Sequence, residues 1–116
     1  MPWFLGDFNI ISVDWENLAG PSPFYFYAAE NSKPVGYRIA DFIDFIINTT
    51  GAKLEEIHPI GFSLGAQVVG HLGYKTEGKM ARITGLDPAG KPTILSVHAL
   101  INAEAALYAC FMLVSS

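Results

Sequence analysis

Ile57-His58-Pro59-Ile60-Gly61-Phe62-Ser63-Leu64-Gly65-Ala66-Gln67-Val68-Val69-Gly70 reads as a short apolar strand, a Gly-x-Ser-x-Gly turn and a helix of small residues. A strand-to-helix turn this sharp holds its serine in a strained backbone conformation. The residues two before and two after it are therefore expected to be nearly free of side chain. Gly61 and Gly65 answer that demand, which makes Ser63 the candidate nucleophile. The first helical N–H groups beyond it, beginning with Leu64, point to where a substrate carbonyl would gather negative charge, so Leu64 is the candidate oxyanion donor. Two glycines around a serine also occur in ordinary tight loops, and the rest of the chain has to decide between the two readings.

Working outward, Leu64 to about Tyr74 reads as the helix that follows the turn, with Gly65, Ala66 and Gly70 allowing close packing on a sheet. Lys75 to Lys79 is a polar turn, Ala81 to Leu86 a further strand, and Asp87-Pro88-Ala89-Gly90 ends that strand on the same carboxyl edge as Ser63. On the amino-terminal side, Phe8-Asn9-Ile10-Ile11-Ser12-Val13 is short and apolar on both faces, as a strand inside a parallel sheet would be. Asp14-Trp15 would then stand at its carboxyl end, where open α/β sheets place ligands, although a strand cap and a packed indole explain the pair more simply. Glu16 to Ser32, with Pro21, Pro23 and the aromatic run Phe24-Tyr25-Phe26-Tyr27, reads as an excursion loop. The run itself fits loop or core packing better than a lipid-facing patch. Pro34 suits the first turn of a helix. Beyond it Val35, Ile39, Phe42, Ile43 and Ile46 recur at helical spacing, Arg38, Asp41, Asp44 and Asn48 face water, and Gly51 stops the helix. The predicted order is strand, long helix, elbow strand, helix, strand, an α/β pattern with a mainly parallel sheet and flanking helices.

The chain has 116 residues, enough for one domain or part of one, and 51% of them are apolar while 16% are charged, which predicts a packed core. A net charge of −4 without a basic cluster excludes nucleic acid as the expected partner. Cys110 is the single cysteine, so no internal disulfide can form. Met1 to Asp7 lacks a basic segment followed by a long apolar run, so no signal peptide is read here.

Asn9 to Trp15, Ile60 to Gly70 and Arg82 to Ala89 together resemble, in order and spacing, the animal pancreatic-lipase-like family of triacylglycerol lipases, insect and venom phospholipases A1 and catalytically silent yolk proteins. The resemblance covers roughly Phe4 to Gly90, and Phe62 ahead of the serine is more like the arthropod members. It implies a partial α/β-hydrolase domain over residues 1–90, with residues 91–116 as a divergent apolar tail. It also implies a carboxylic ester hydrolase acting on lipids at a lipid interface, extracellular, without a metal or organic cofactor. By it Ser63 is the nucleophile and Asp87 the acid of a Ser-Asp-His triad, whose role is to hold the histidine's tautomer and stabilise its imidazolium. As a turn residue before Pro88, Asp87 would otherwise be read structurally.

Four departures accompany the resemblance. No histidine is well placed as the base: His58 precedes the nucleophile on its own strand, His71 lies eight residues along the elbow helix, and His98 follows Asp87 by only eleven residues, whereas the family places its base several dozen residues on. The family's His-Gly loop, which supplies the second oxyanion N–H, has no counterpart, and its strand would lie between those of Asp14 and Ser63. Pro59 cannot donate in a central strand. Thr93 to Val114 is apolar and helix-prone, but Asn102 and Glu104 argue against a membrane span. Little or no turnover is therefore expected of this chain alone. The rival readings are a non-catalytic lipid-binding or yolk-type relative, against which the retained Ser63 speaks, and an interaction module tethered by the carboxyl-terminal helix.

Overall fold

Residues 8–19 and 25–89 are described by the computed structural model. The longest element among them follows from a stripe of small and branched residues. Ala28, Ser32, Val35, Ala40 and Ile43 are buried, and Ile39, Ile46 and Ile47 are half-buried, at three- and four-residue spacing along helix α2, Tyr25–Thr50. Arg38, Asp41, Asp44 and Asn48 lie on the exposed side, as expected. Phe42 does not join the core; it is exposed and stacks on Phe45 with ring centroids 6.4 Å apart. The helix stops where expected: Gly51, at φ 75°, donates its N–H to the Ile47 carbonyl at 2.9 Å.

The start of α2 corrects the expected loop over Glu16 to Ser32. Glu16–Ala19 forms a short helix α1, and α2 begins well before Pro34, which lies inside it. The hydrophobic pattern seemed to begin at Val35 because the residues that continue its buried face upstream, Ser32 and Ala28, are small or polar. Pro34 has no N–H for the carbonyl one turn back, and two residues before it the Ser32 hydroxyl donates to the Ala29 carbonyl at 2.6 Å. The side chains of the Phe24 to Tyr27 run lie outside the described residues.

After Gly51 a single 3-10 turn, Leu54–Glu56, leads into strand β1, Ile60–Phe62. Helix α3, Leu64–Lys75, returns the chain to strand β2, Thr84–Leu86, and the two strands pair in parallel with Ile60 opposite Thr84, Gly61 opposite Gly85 and Phe62 opposite Leu86. At the end of α3 the Thr76 hydroxyl lies 3.1 Å from the Leu72 and Gly73 carbonyls, and Glu77 and Gly78 at positive φ reverse the chain. Both strands are shorter than the sequence suggests. Pro59 stands just outside β1, where it needs no donor, and its carbonyl accepts the Thr84 N–H at 2.9 Å.

The expected strand Phe8 to Val13 is not a strand. These residues are exposed and pair with nothing among the described residues. A parallel strand owes its hydrogen bonds entirely to its neighbours, and the described sheet has only β1 and β2. The predicted strand-helix-strand unit ending at the elbow strand is thus absent, and the βαβ unit observed is β1-α3-β2.

The core lies between α2 and α3, where Ala40, Ile43, Val69, Leu72, Met80 and Ile83 form one buried cluster backed by Ile39, Ile47, Leu54 and Ile57. The two helices approach closely because Gly36 has no side chain: a Cβ there would stand 2.6 Å from the Val68 carbonyl oxygen and 2.8 Å from the His71 Cβ. At the far end of α3, Lys33 and Lys75 both set their ammonium groups near the Tyr37 ring, 5.7 and 5.4 Å from its centroid. No described helix is long and apolar enough to cross a membrane. The tail Lys91 to Ser116, with His98 and the expected helix Thr93 to Val114, lies outside the described residues.

Candidate active site

Ser63 occupies the single residue between β1 and α3 at φ 56° and ψ −118°, a conformation that a side chain disfavours. Its N–H donates to the Leu86 carbonyl at 2.9 Å, carrying the parallel ladder one step past Phe62, so the strained residue is held by the sheet. Its carbonyl in turn accepts the Ala66 N–H at 3.1 Å and the Ala89 N–H at 3.2 Å. Leu64, as the first residue of α3, has no carbonyl one turn before it for its N–H to bond.

The two glycines of the turn are not equivalent. A Cβ on Gly61 would lie 2.0 Å from the Gly65 carbonyl oxygen, so the start of α3 is folded back directly onto β1. At Gly65 nothing among the described residues comes within 4 Å of a Cβ, which corrects the expectation that both positions must be free of side chain. The crowding falls on the strand side, where Gly61 faces the helix backbone. Beside it the Cβ of Ala66 would lie 3.3 Å from a Cβ on Gly85, so Ala66 seats the helix on both strands.

Asp87 follows Leu86 as Ser63 follows Phe62, and those two residues are partners in the sheet. Ser63 and Asp87 therefore leave the carboxyl ends of neighbouring strands, about 5 Å apart by strand spacing. Asp87 is exposed and takes φ 43°, a left-handed turn that aspartate tolerates better than most residues. The loop it opens is tied down at Ala89, whose N–H reaches the Ser63 carbonyl and whose own carbonyl accepts from the buried Gln67 side chain at 3.1 Å.

The two described histidines are not brought to this rim. His58 Nε2 lies 2.8 Å from the Thr84 hydroxyl at the amino ends of the strands, three residues or about 10 Å below Ser63. Burial, and then the nearby Arg82, lower its proton affinity. His71 sits in the α2-α3 seam beside Gly36, two turns from the start of α3, and its proton affinity is lowered by burial and then by Lys33. Asp14 is not at a strand end; its carboxylate accepts the Glu16 N–H at 3.0 Å and caps α1. A groove of about 310 Å³ beside it is lined by Val13, Trp15, Leu18, Val35, Arg38 and Ile39 among others, and not by Ser63 or Asp87. Among the described residues no group of three or more His, Cys, Asp or Glu side chains could hold a metal ion.

Comparison with known proteins adds a family to this geometry. A family model described as Lipase matches residues 5–95. The chain belongs to the lipase family. This lipase-family chain is 40% identical over 84 residues to lipase member H of Mus musculus and 42% identical over 81 residues to pancreatic triacylglycerol lipase of Homo sapiens. It is also 39% identical over 82 residues to a putative endothelial lipase of Crotalus adamanteus. These alignments take in 72%, 70% and 71% of this chain but only 18%, 17% and 16% of the relatives, so the chain spans less than a fifth of their length. No solved structure matches. Helices packed on a parallel strand pair make the described part of this lipase-family chain a partial α/β-hydrolase fold, within a lineage of lipid ester hydrolases.

Proposed function

We propose that this chain carries the nucleophile and acid of a lipid ester hydrolase. In the assembled enzyme the Ser63 Oγ attacks the ester carbonyl carbon as a histidine base takes its proton. The tetrahedral oxyanion is held in part by the Leu64 N–H, and the alcohol leaves with the proton returned by that histidine. Asp87 orients the histidine and stabilises its charged form. Water repeats the cycle on the acyl-enzyme to release the fatty acid and free Ser63. The observation that carries the reading is the strained backbone of Ser63 at a strand end whose parallel neighbour ends in Asp87.

The substrate is a lipid ester, triacylglycerol or phospholipid, met at a lipid interface, and the assembled enzyme is extracellular. Residues 1–90 form the partial hydrolase domain and residues 91–116 a separate apolar tail. With neither described histidine at the rim, the purified chain is expected to show little or no ester turnover.

The roles are tested by replacing the matching segment of human pancreatic triacylglycerol lipase with Ile57 to Ala89 of this chain and measuring ester hydrolysis. Retained activity that falls at least about a thousandfold on Ser63→Ala and on Asp87→Asn supports the assignment. A folded chimera whose activity is indifferent to Ser63→Ala overturns it.

A further inference from the structure

We propose that Gln67 is the positioning residue for the Asp87 loop, an inference that rests on the reading of Asp87 as the acid. Asp87 is exposed and leaves β2 through a left-handed turn, so its own strand does not fix where its carboxylate points. The position of the loop is set three residues of helix beyond Leu64, where Gln67 reaches across from α3. Gln67 is almost fully buried, its Nε2 donates to the Ala89 carbonyl at 3.1 Å, and a carbonyl can only accept, so the amide orientation is fixed by its partner.

Three hydrogen bonds then close a ring around the two candidate residues. The Leu86 carbonyl accepts the Ser63 N–H, the Ser63 carbonyl accepts the Ala89 N–H, and the Ala89 carbonyl accepts the Gln67 amide. The first binds the end of β2 to the serine, the second binds the loop to the serine, and the third binds the loop to the helix that the serine begins. Without the third, the Ala89 carbonyl loses a part-buried donor, and among the described residues one backbone bond at 3.2 Å is left to hold the loop. Position 67 thus selects for a side chain that is long enough to cross from helix to loop and carries an N–H at its tip.

The test compares Gln67→Met, similar in length but without a donor, with Gln67→His, which restores an N–H at comparable reach. Amide hydrogen exchange is followed by NMR on the purified chain. Expected is exchange at the Ala89 N–H about tenfold faster in Gln67→Met, with Leu72 in α3 unchanged, and recovery toward wild type in Gln67→His. Unchanged exchange at Ala89, equal acceleration at Ala89 and Leu72, or failure of Gln67→His to recover would each overturn the proposal. In the active chimera Gln67→Met is expected to lower kcat about tenfold with KM unchanged, since loop position matters to the proton transfer more than to lipid binding. A raised KM at constant kcat would overturn the positioning role. The exchange measurement reads loop position without chemistry, so an inactive chimera would sink the functional reading and leave this one to be decided by Ala89.

Discussion

Alanine at Gly61 and alanine at Gly65 are the same substitution two residues either side of Ser63, and their expected effects differ. At Gly61 the new methyl meets the Gly65 carbonyl at 2.0 Å, backbone against backbone, and a loss of about 3 kcal/mol or more is expected, above the usual range for overpacking. At Gly65 the site is open and the residue is helical, so alanine is expected to be neutral or to gain up to about 1 kcal/mol. Urea melts of the two variants check both values. The sequence suggested the two glycines together, because the motif is symmetric in spelling. It could not show that only one of them faces a backbone, since that depends on where α3 lies over β1. The positions of Ser63 and Leu64 at a strand-to-helix boundary were legible because local pattern marks that boundary, whereas Asp87 was singled out by the family resemblance. Gln67 was not legible, because its role depends on a carbonyl 22 residues away.

At the scale of elements, α2 sets helix propensity against packing. Gly36→Ala improves propensity by about 1 kcal/mol but drives a methyl into the Val68 carbonyl and the His71 Cβ, so a net loss of about 1–3 kcal/mol is expected. Pro34→Ala restores a helical N–H at an exposed position and is expected to gain about 2 kcal/mol, after allowing for the greater freedom of the unfolded chain. Thermal unfolding should order the three proteins as Pro34→Ala, wild type, Gly36→Ala.

The α2-α3 seam, through His71, and the amino ends of the strands, through His58, respond to acid. His58 and His71 both hold a proton less readily in the folded chain than at the ordinary value of about 6.5. Their contribution is therefore complete above about pH 6.5 and is lost as the pH falls from there through the lowered folded-state values. The urea midpoint should drop between about pH 7.5 and 5, and His71→Gln should flatten that drop. A midpoint that rises on acidification would contradict the sign. The extent of α2 and the fate of Phe8 to Val13 were the elements least legible in sequence. A buried face continued by Ala28 and Ser32 is invisible to hydrophobic periodicity, and a strand-like composition makes a strand only where a neighbour supplies hydrogen bonds.

Among the described residues, apolar surface is exposed on one face of the two-stranded sheet and along the segment that precedes α1. Ile60 and Phe62, on the face away from α3, are 61% and 66% exposed, and Phe8 and Ile10 reach 75% and 91%. Exposed apolar surfaces of this kind promote association. The purified chain is expected to self-associate at tens of micromolar, and Ile10→Lys with Phe62→Lys to shift it toward monomer, as read by sedimentation velocity. A wild-type chain that stays monomeric at ~100 μM would show those surfaces to be covered.

The hydrogen bonds that pin Ser63 beside Asp87 all fall between Pro59 and Ala89. In hereditary terms, the proposed nucleophile and acid travel as one short cassette. The sterics of the turn act on Gly61, whose Cβ would meet the Gly65 carbonyl, and ask for no hydroxyl at position 63, so a lineage that loses its base would keep the spelling of Gly61 after that of Ser63 has drifted.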